Sequence, residues 1–324
     1  MTQEAYPIRR RSLLLAAAAA ACASPAFSQG KPVHVVVPFP AGGGADAAAR
    51  LLAERLPAGL NGRSVIVDNR PGAGGNIAAM AVVQAAADGD TLLITSNNHT
   101  INLSLYERPG YTLEDFAPIA QIAVSGFALV AHPKTHFKTL DDLLAAAKAK
   151  PNSLSFGTGG NGHPAHLATE LLKSRAGVSM QHIPYKGSAP LTTDLVGGQL
   201  PIGMISVLAA QSFATSGQLV PLAVTSKQRW PGLPNVPTIE ESGFPGYDYS
   251  AWIGLLARAG TPPAVLAALE RQALAICSTE DARSSMTRQG MLLAPKGSAD
   301  FKEAIARDAA VNRDLIRSIG LKLT

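Results

Sequence analysis

The stretch VHVVVPFPAGGGADAAAR, residues 33–50, decides the fold class of this chain. Residues 33–39 form a short, β-branched apolar run typical of a buried strand, residues 42–44 are three consecutive glycines, and a helix is predicted to begin near Asp46. A strand, a glycine loop and a helix in this order predict the first part of a β-α-β unit.

The segments that follow continue this alternation. Strands are predicted at residues 64–68 and 91–95, with a helix at 76–87 between them. Strands that alternate with helices imply a parallel sheet with right-handed crossovers.

The same order recurs in a second unit. A capping-box pattern at Thr139 and Asp142 predicts the start of a helix that ends before Pro151. The rest of the unit is predicted as strands at 154–156, 180–185, 200–206 and 220–226, a glycine loop at 157–162, and helices at 164–175 and 188–196.

The C-terminal tail differs, because helices are predicted at 263–277 and 299–319 without strands of their own. Such helices must pack on a sheet made elsewhere, so we expect the tail to return to the first unit. The prediction is an α/β protein of two domains, residues 29–130 with 250–324 and residues 131–249, joined by a hinge that the chain crosses twice. The cleft under this hinge would hold a ligand at the carboxyl ends of the strands.

Residues 1–28 have the layout of a secretory signal peptide. Arginines at 9–11 precede an apolar run at 13–23, and small residues follow at 26 and 28. The paired arginines favour a twin-arginine signal. We therefore expect export to the periplasm and removal of the leader.

The two cysteines have separate interpretations. Cys22 raises lipid attachment as an alternative, but Ala19 stands where a lipobox usually has Leu. Removal of the leader leaves only Cys277, so an internal disulfide is excluded. Its neighbours Leu274 and Ile276 indicate a helix, and we expect a buried, inert thiol.

The composition argues against disorder and against bulk nucleic-acid binding. Charged residues make up 16% of the 324 residues, and 28 Lys and Arg oppose 23 Asp and Glu, a net charge of +5. The sequence contains neither a basic stripe nor an acidic tail.

A glycine loop that leads into a helix suits an anion, because unpaired main-chain amides and the helix dipole meet there. Two such loops across one cleft could bind a ligand that carries a carboxylate at each end. A simpler interpretation is that the glycines only permit tight turns.

A third interpretation of the glycine loops is a dinucleotide site, since Gly42-x-Gly44-x-x-Ala47 and Gly157-x-Gly159-x-x-Gly162 match the dinucleotide-binding fingerprint. Against it, residues 38–41 separate the first strand from its glycines, and an exported protein has little access to NAD.

Motifs for other chemistry are missing from the sequence. It has no G-x-S-x-G elbow, no P-loop and no H-E-x-x-H. His163 and His166 are spaced to reach one metal ion, but no cysteine or nearby acid completes a ligand set, so capping and packing are the favoured roles.

The chain resembles the tripartite tricarboxylate transporter substrate-binding proteins, the Bug receptors of the bacterial periplasm. The similar stretches occur in order along the chain. They are residues 37–46 (VPFPAGGGAD), 69–76 (NRPGAGGN), 87–93 (ADGDTLL), 115–119 (DFAPI), 156–162 (FGTGGNG) with His166 and Leu167, 183–187 (IPYKG), 222–226 (LAVTS), 234–238 (PNVPT) and 260–262 (GTP).

The resemblance implies a type II periplasmic-binding-protein fold that closes on a small organic acid. It also implies a membrane transporter as partner, a monomer, no cofactor and no catalytic residue. The carboxylates would be held by main-chain amides and ordered water, which agrees with the absence of Lys and Arg from both loops.

Carried onto this chain, the resemblance implies two groups of ligand-binding residues and two flanking ones. The set is Phe39, Ala41, Gly42, Gly43, Gly44 and Asp46; Thr158, Gly159, Gly160, Asn161, Gly162 and His163; and Tyr185 and Ser206. Capping is the favoured role of Asp46, with a ligand amine as the alternative. Lys186, Asn97 and His99 are weaker candidates.

Two positions depart from the family pattern. Ala45 and His163 stand where relatives usually have Thr or Ser, which leaves the identity of the ligand open. We hypothesise that His163 contacts the ligand, and that affinity weakens above about pH 6.5 if its imidazolium is the donor.

The sequence therefore favours an exported solute-binding protein that captures a small carboxylate for a transporter. A ligand-sensing subunit for a membrane signalling partner is the alternative. An enzyme on the same cleft is the least favoured, since the sequence offers no nucleophile and no poised acid–base pair.

Overall fold

The structure is a computed structural model that describes residues 31–60 and 62–322. The predicted signal peptide, its cleavage site and Cys22 lie outside the described residues. Within the described part, no helix is long and apolar enough to cross a membrane.

Strands and helices alternate along most of the chain. The strands are β1 (Val33–Val37), β2 (Val65–Asn69), β3 (Thr91–Ser96), β4 (Phe116–Ser125), β5 (Phe127–Ala131), β6 (Ser155–Thr158), β7 (Gln181–Pro184), β8 (Ile202–Ser206), β9 (Val220–Val224), β10 (Ala251–Arg258) and β11 (Leu292–Lys296). The helices are α1 (Gly44–Arg55), α2 (Asn76–Val83), α3 (Asn98–Leu105), α4 (Leu140–Ala149), α5 (Pro164–Ala176), α6 (Ser188–Val196), α7 (Val207–Thr215), α8 (Pro263–Cys277), α9 (Glu280–Arg288) and α10 (Ser298–Ser318).

The first sheet has six strands in the order β11-β4-β10-β3-β1-β2. Strand β1 is parallel to β2 on one side and to β3 on the other. The chain therefore reverses its direction of travel across the sheet at β1, and the carboxyl end of β1 is a topological switch point.

The second sheet repeats this plan with five strands in the order β7-β6-β8-β5-β9. Strand β6 is parallel to β7 and to β8, so β6 is the counterpart of β1. Both glycine loops consequently follow the switch-point strand of their own sheet, as the sequence predicted for the α/β class.

The purely parallel arrangement that the sequence suggested is wrong. Strand β10 is antiparallel to β3 and β4, and β5 is antiparallel to β8 and β9. Only Gly126 separates β4 from β5, which is too short for a crossover helix, so the chain enters the second sheet directly.

The C-terminal tail is also not purely helical. It contributes β11, which pairs with β4 at the edge of the first sheet through an irregular register. This strand is short, half-buried and contains Pro295, so it lacks the alternation that marks a strand in sequence.

The chain crosses between the sheets at Gly126 and returns through residues 225–250. The two crossings run side by side: the Phe127 amide donates to Thr225 Oγ1 and the Thr225 amide donates to the Phe127 carbonyl, each at 2.9 Å. The division at residue 130 stays a prediction. Because Phe127–Ala131 pairs only within the second sheet, we propose Gly126 as the boundary instead.

Several local predictions are confirmed. The capping box that opens α4 is present, since the Asp142 amide donates to Thr139 Oγ1 (3.2 Å) and the Thr139 amide to the Asp142 carboxylate (2.9 Å). Cys277 ends α8 and is buried, and burial raises the pKa of its thiol to about 11, so the thiol stays protonated.

The long helix α10 anchors the tail to the first sheet. Phe301 is fully buried and its ring lies 5.3 Å from the Trp252 ring in an edge-to-face contact. Gly254 on β10 makes room for it, because a Cβ at that position would stand 2.1 Å from Phe301 Cζ. These contacts place the start of α10 on the first sheet, whereas Leu315 and Ile316 near its end pack in the core of the second sheet, so the assignment of the tail to the first domain stays a prediction.

We expect Phe301→Ala to lower the free energy of unfolding by about 3–5 kcal/mol, because it removes a fully buried aromatic ring and leaves a cavity. Lys302→Ala, at the exposed neighbouring position, should change it by about 0.5 kcal/mol or less. Urea unfolding of both variants measures the difference. Equal losses would contradict the anchoring role of Phe301.

Candidate functional site

The first loop joins the carboxyl end of β1 to α1. Its N-cap, Gly43, has an extended backbone and no side chain to cap the helix. The first main-chain bond of α1 runs from the Ala47 amide to the Gly43 carbonyl (2.9 Å), so the amides before Ala47 have no acceptor within the helix. Ala41, Gly42 and Gly43 are exposed, which leaves the loop open to a ligand.

The buried Asp46 carboxylate holds this loop through hydrogen bonds. It is only 3% exposed, and its carboxylate accepts from the Gly42 amide (2.9 Å), Asn69 Nδ2 (3.0 Å) and Arg50 Nε (2.9 Å). Burial acts to raise the pKa of this carboxyl, but the bonds from Arg50, Gly42 and Asn69 outweigh it and the pKa is lowered. The sequence favoured Asp46 as the cap of its helix, but the N-cap is Gly43, and Asp46 instead binds the Gly42 amide, so its acceptor sites are committed within the protein.

The neighbours of Asp46 fix the rest of the loop. Asn69 Nδ2 also donates to the Phe39 carbonyl (3.1 Å), while the Phe39 side chain packs on the first core. Gly42 adopts a φ of +92°, a left-handed conformation that glycine tolerates best. Ala45 is buried in the core, so the methyl group that replaces the usual hydroxyl points away from the loop surface.

The second loop joins β6 to α5 and is folded by its own side chains. Thr158 is fully buried, and its hydroxyl lies 3.2 Å from the Gly160 carbonyl and 2.7 Å from His182 Nε2. The buried Gly162 amide donates to His166 Nδ1 (3.2 Å). Thr158 and Gly162 thus shape the loop, and we no longer count the Thr158 hydroxyl or the Gly162 amide among the ligand donors.

Three stacked aromatic side chains, those of Phe156, His166 and His182, support the second loop. The His166 and His182 rings stack with their centroids 3.7 Å apart, and Phe156 stacks on His182 at 5.0 Å. Glu170 lies 3.7 Å from His166 Nε2 and 2.6 Å from Lys173 Nζ. This packed layer limits how far the loop can move.

His163 is the N-cap of α5 and is half-buried. Its Nδ1 accepts from the Ala165 amide (3.1 Å), which places the ring proton on Nε2. Burial, with a smaller contribution from His166, lowers the pKa of His163 to about 4. In the ligand-free protein the ring is therefore neutral near pH 6.5, which argues against the hypothesis of an imidazolium donor. A neutral Nε2–H donor remains.

The two flanking candidates differ. Ser206 is exposed at the start of α7, and its Oγ accepts from the Ala209 amide (3.3 Å), so its hydroxyl proton stays available. The Tyr185 hydroxyl instead donates to Asp194 on α6 (2.7 Å), and burial, followed by the Asp194 bond, raises the pKa of Tyr185 to about 12. We therefore remove the Tyr185 hydroxyl from the candidate donors.

The weaker candidates do not join the site through their side chains. Asn97 binds the main chain of the second crossing, with its Oδ1 accepting from the Trp252 amide at 2.8 Å. His99 is buried, with its ring stacked on Tyr111 at 4.7 Å. Lys186 is exposed in the turn before α6. A position shortly after a strand did not predict whether these side chains reach the site, because the direction of each side chain depends on the packing of the following helix.

Two short contacts bring the first loop close to an element of the second sheet. A Cβ on Gly44 would stand 2.8 Å from Met291 Sδ, and a Cβ on Gly290 would stand 3.0 Å from Leu208 Cβ at the start of α7. The first loop is therefore close to an element that belongs to the second sheet.

The second loop makes the reciprocal contact. A Cβ on Gly162 would stand 2.3 Å from Leu105 Cδ2 of α3, a helix that follows β3 of the first sheet. The His163 ring lies 5.8 Å from the Phe127 ring at the first crossing. Both loops thus border the junction between the sheets.

A cavity of about 720 Å³ opens beside Ala41 and Gly42. Its other walls come from α1 and α9, including Arg50, Arg288 and Gln289. All of these elements pack on the first sheet, so this cavity lies on the outer side of α1 rather than between the loops.

Sequence reasoning missed the supporting side chains. Asn69 lies in one of the quoted stretches, NRPGAGGN, and could have been found from that pattern. His182 and Met291 carry no local pattern, because their places depend on strand pairing and on the turn between α9 and β11.

A family model described as the tripartite tricarboxylate transporter family receptor matches residues 48–321. The chain belongs to this family. Bordetella pertussis protein BugT is 36% identical over 300 residues, which cover 90% of each protein.

Solved structures of receptors agree with the fold of this family member. An R. palustris protein solved with adipate is 33% identical, with a TM-score of 0.76 over 90% of this chain and 98% of the other. MatC of Rhodopseudomonas palustris, solved with malate, is 27% identical, with a TM-score of 0.71 over 88% of this chain and 98% of MatC. The receptor thus has the two-domain α/β fold of periplasmic binding proteins.

We expect Asp46→Ala to lower the free energy of unfolding by about 2–3 kcal/mol, because it leaves buried donors without an acceptor. Because the pKa of Asp46 is lowered in the folded state, its contribution is present above the ordinary carboxyl value of 3.8 and is lost as pH falls through the folded value. Asp300→Ala, an exposed acid in the first turn of α10, is the matched control. Urea unfolding at pH 7 and pH 3 tests both. A loss of the same size at both pH values would contradict the role of the carboxylate.

We expect the His163 imidazole to titrate near pH 4 and to carry its proton on Nε2 above that pH. Long-range ¹H–¹⁵N correlation spectra report both the titration and the tautomer. A midpoint near 6.5 would contradict the burial of the ring, and a proton on Nδ1 would show that the cap to the Ala165 amide is absent in solution.

Proposed function

We propose that this receptor binds a small organic carboxylate between its two glycine loops and delivers it to the membrane subunits of a tripartite tricarboxylate-type transporter. It would act after export to the periplasm, as a monomer, and without chemistry of its own. Family membership and the carboxylate-bound relatives support this proposal.

The observation that carries the proposal is the equivalence of the two loops. Each follows the switch-point strand of its sheet and leads into a helix, α1 or α5. The first amides of α1 have no acceptor within the helix. Helix α5 begins with Pro164 and its Ala165 amide donates to His163 Nδ1, so the second loop would offer amides that precede the helix. Neither loop contains Lys or Arg. An anion placed there would receive amide hydrogen bonds and the field of the helix N-terminus.

The ligands of relatives fit this arrangement. The R. palustris protein was solved with adipate and MatC with malate. Both compounds carry two carboxylates, and two loops supply one anion site each. We therefore propose a dicarboxylate as the first ligand class to test.

The structure narrows the proposed donors. In the first loop they are the Gly43 and Gly44 amides, since the Gly42 amide is bonded to Asp46. In the second loop they are the Gly159 and Asn161 amides. His163 Nε2–H and the Ser206 hydroxyl complete the proposed set.

A ligand panel tests the proposal. Protein refolded free of endogenous ligand is screened by thermal shift against adipate, malate, monocarboxylates, tricarboxylates and amino acids. A ligand at 100 times its dissociation constant should add about 2.7 kcal/mol of stability. Stabilisation by no carboxylate would contradict the proposal, and mass spectrometry that showed conversion of the ligand would contradict binding without chemistry.

We expect Gly43→Leu to weaken binding of the best carboxylate at least about tenfold, a change of about 1.4 kcal/mol. The backbone at Gly43 is ordinary and a Cβ there would meet only the Pro40 carbonyl at 3.9 Å, so the fold should tolerate the side chain. Ala299→Leu, at the exposed start of α10, is the control. Calorimetric titration measures both. Unchanged affinity in Gly43→Leu would remove the first loop from the site.

A further inference from the structure

The Asn97 side chain clamps the second crossing of the hinge. Its Oδ1 accepts from the Trp252 amide (2.8 Å), and its Nδ2 lies 3.4 Å from the Ser250 carbonyl. One amide group thereby contacts the last residue of the second crossing and the second residue of β10. Asn97 itself follows β3 and is only 1% exposed.

The Asp308 carboxylate orients this clamp. Asp308 Oδ1 accepts from Asn97 Nδ2 (2.9 Å), which fixes which end of the Asn97 amide faces the Trp252 main chain. Asp308 Oδ2 accepts from Trp252 Nε1 (3.1 Å) and from the Thr100 hydroxyl. The carboxylate on α10 therefore joins α3, β10 and, through Asn97, the crossing. We call Asn97, Asp308 and residues 250–252 the hinge clamp.

The same helix holds the crossing at a second point. The Tyr249 hydroxyl donates to Asn312 Oδ1 (2.7 Å), and the Tyr249 amide donates to the Thr225 carbonyl (3.0 Å). Tyr249 packs in the core of the second sheet, whereas Trp252 packs with Val36 and Leu93 of the first sheet. The hinge clamp therefore lies where the second crossing passes from the core of one sheet to the core of the other.

We propose that Asp308 is a positioning residue for closure of the cleft: its ionised carboxylate orients Asn97 against residues 250–252, and protonation of Asp308 loosens this hinge and weakens ligand binding. The proposal rests on the proposed function, because it assigns a regulation to the same site.

The chemistry of the carboxylate gives the direction. An ionised carboxylate accepts stronger hydrogen bonds than a neutral acid, so Asn97 is held more firmly when Asp308 is charged. Burial raises the pKa of Asp308 to about 6, although the bonds from Thr100, Trp252 and Asn97 act against it. The hinge clamp would therefore change between about pH 5 and pH 7.

Solvent and other charges reach Asp308 through a cavity of about 650 Å³. Its charged lining comprises Arg307 on α10, Lys296 at the end of β11, Lys227 after β9 and Asp248 before the crossing. The groups that hydrogen-bond to Asp308 are neutral, namely Asn97, Thr100, Trp252 and Asn312. The Tyr249 hydroxyl also feels the Asp308 charge, and its own pKa is raised mainly by burial and further by Asp308, so it too stays neutral. Asp308 can therefore exchange protons with solvent, and the cavity leaves room for the hinge to move.

Ionisation of Asp308 is expected to have opposite effects on folding stability and on ligand affinity. Since the folded pKa lies above the ordinary value of 3.8, the contribution of Asp308 to stability is full below that value and is lost as pH rises through about 6. Affinity is expected to rise over the same interval. A merely structural role of Asp308 would move stability and affinity in the same direction.

The first test needs no ligand. In the wild-type protein, the Trp252 indole N–H signal should titrate with a midpoint near 6, and it should not titrate in Asp308→Asn. At pH 7.5, Asp308→Asn should raise the exchange rate of the Trp252 main-chain amide about tenfold, since the acceptor Asn97 is no longer oriented. Asn97→Ala should also raise the exchange rate of the Trp252 main-chain amide, because it removes the acceptor. Asp314→Asn, an exposed acid on the same helix, is the control and should leave both readings unchanged.

The second test uses adipate as the probe. At pH 7.5 the wild type should bind adipate about fivefold more tightly than Asp308→Asn, and at pH 5.0 the two affinities should agree. Because the wild type and Asp308→Asn are compared at the same pH, protonation of adipate affects both affinities equally. A constant ratio across pH, or an indole signal that does not titrate, would overturn the proposal. Failure of the wild type to bind any carboxylate would reject the proposed function, while amide exchange would still decide whether Asp308 positions the hinge.

Discussion

A main-chain amide at the start of a helix has no acceptor within that helix, and this constraint shapes both loops of the receptor. One amide of each loop is satisfied by a side chain of the following helix: Asp46 accepts from Gly42, and His166 accepts from Gly162. In the proposed site, other amides of each loop bind the ligand. A negatively charged ligand fits because the helix dipoles favour it, although neither loop carries a cationic side chain.

The use of amides in place of arginine has a physical consequence. Amides held by a rigid loop are already directed at the ligand, so little conformational entropy is lost when it binds. The rigidity comes from packed polar groups, the Asp46 carboxylate in one loop and the His166–His182 stack in the other. If the proposed site is correct, it would distinguish ligands by the spacing of their acid groups.

The general architecture was readable from the sequence because glycines and β-branched runs act locally. The strand–loop–helix order at residues 33–50 and 154–175 gave the α/β class and the places of both loops. The antiparallel β10 and the short β11 could not be predicted, because long-range pairing determines them. The same limit applies to side chains. Whether His163 carries a charge could not be predicted because burial is not visible in sequence, and the Tyr185 hydroxyl faces Asp194 through a tertiary contact.

The most direct measurement of the central claim is a high-resolution crystal structure of the receptor with a bound dicarboxylate. The account predicts one carboxylate at the Gly43 and Gly44 amides and the other at the Gly159 and Asn161 amides, directly or through one ordered water molecule. A ligand held by an Arg or Lys side chain, or bound in the cavity beside α9, would contradict it.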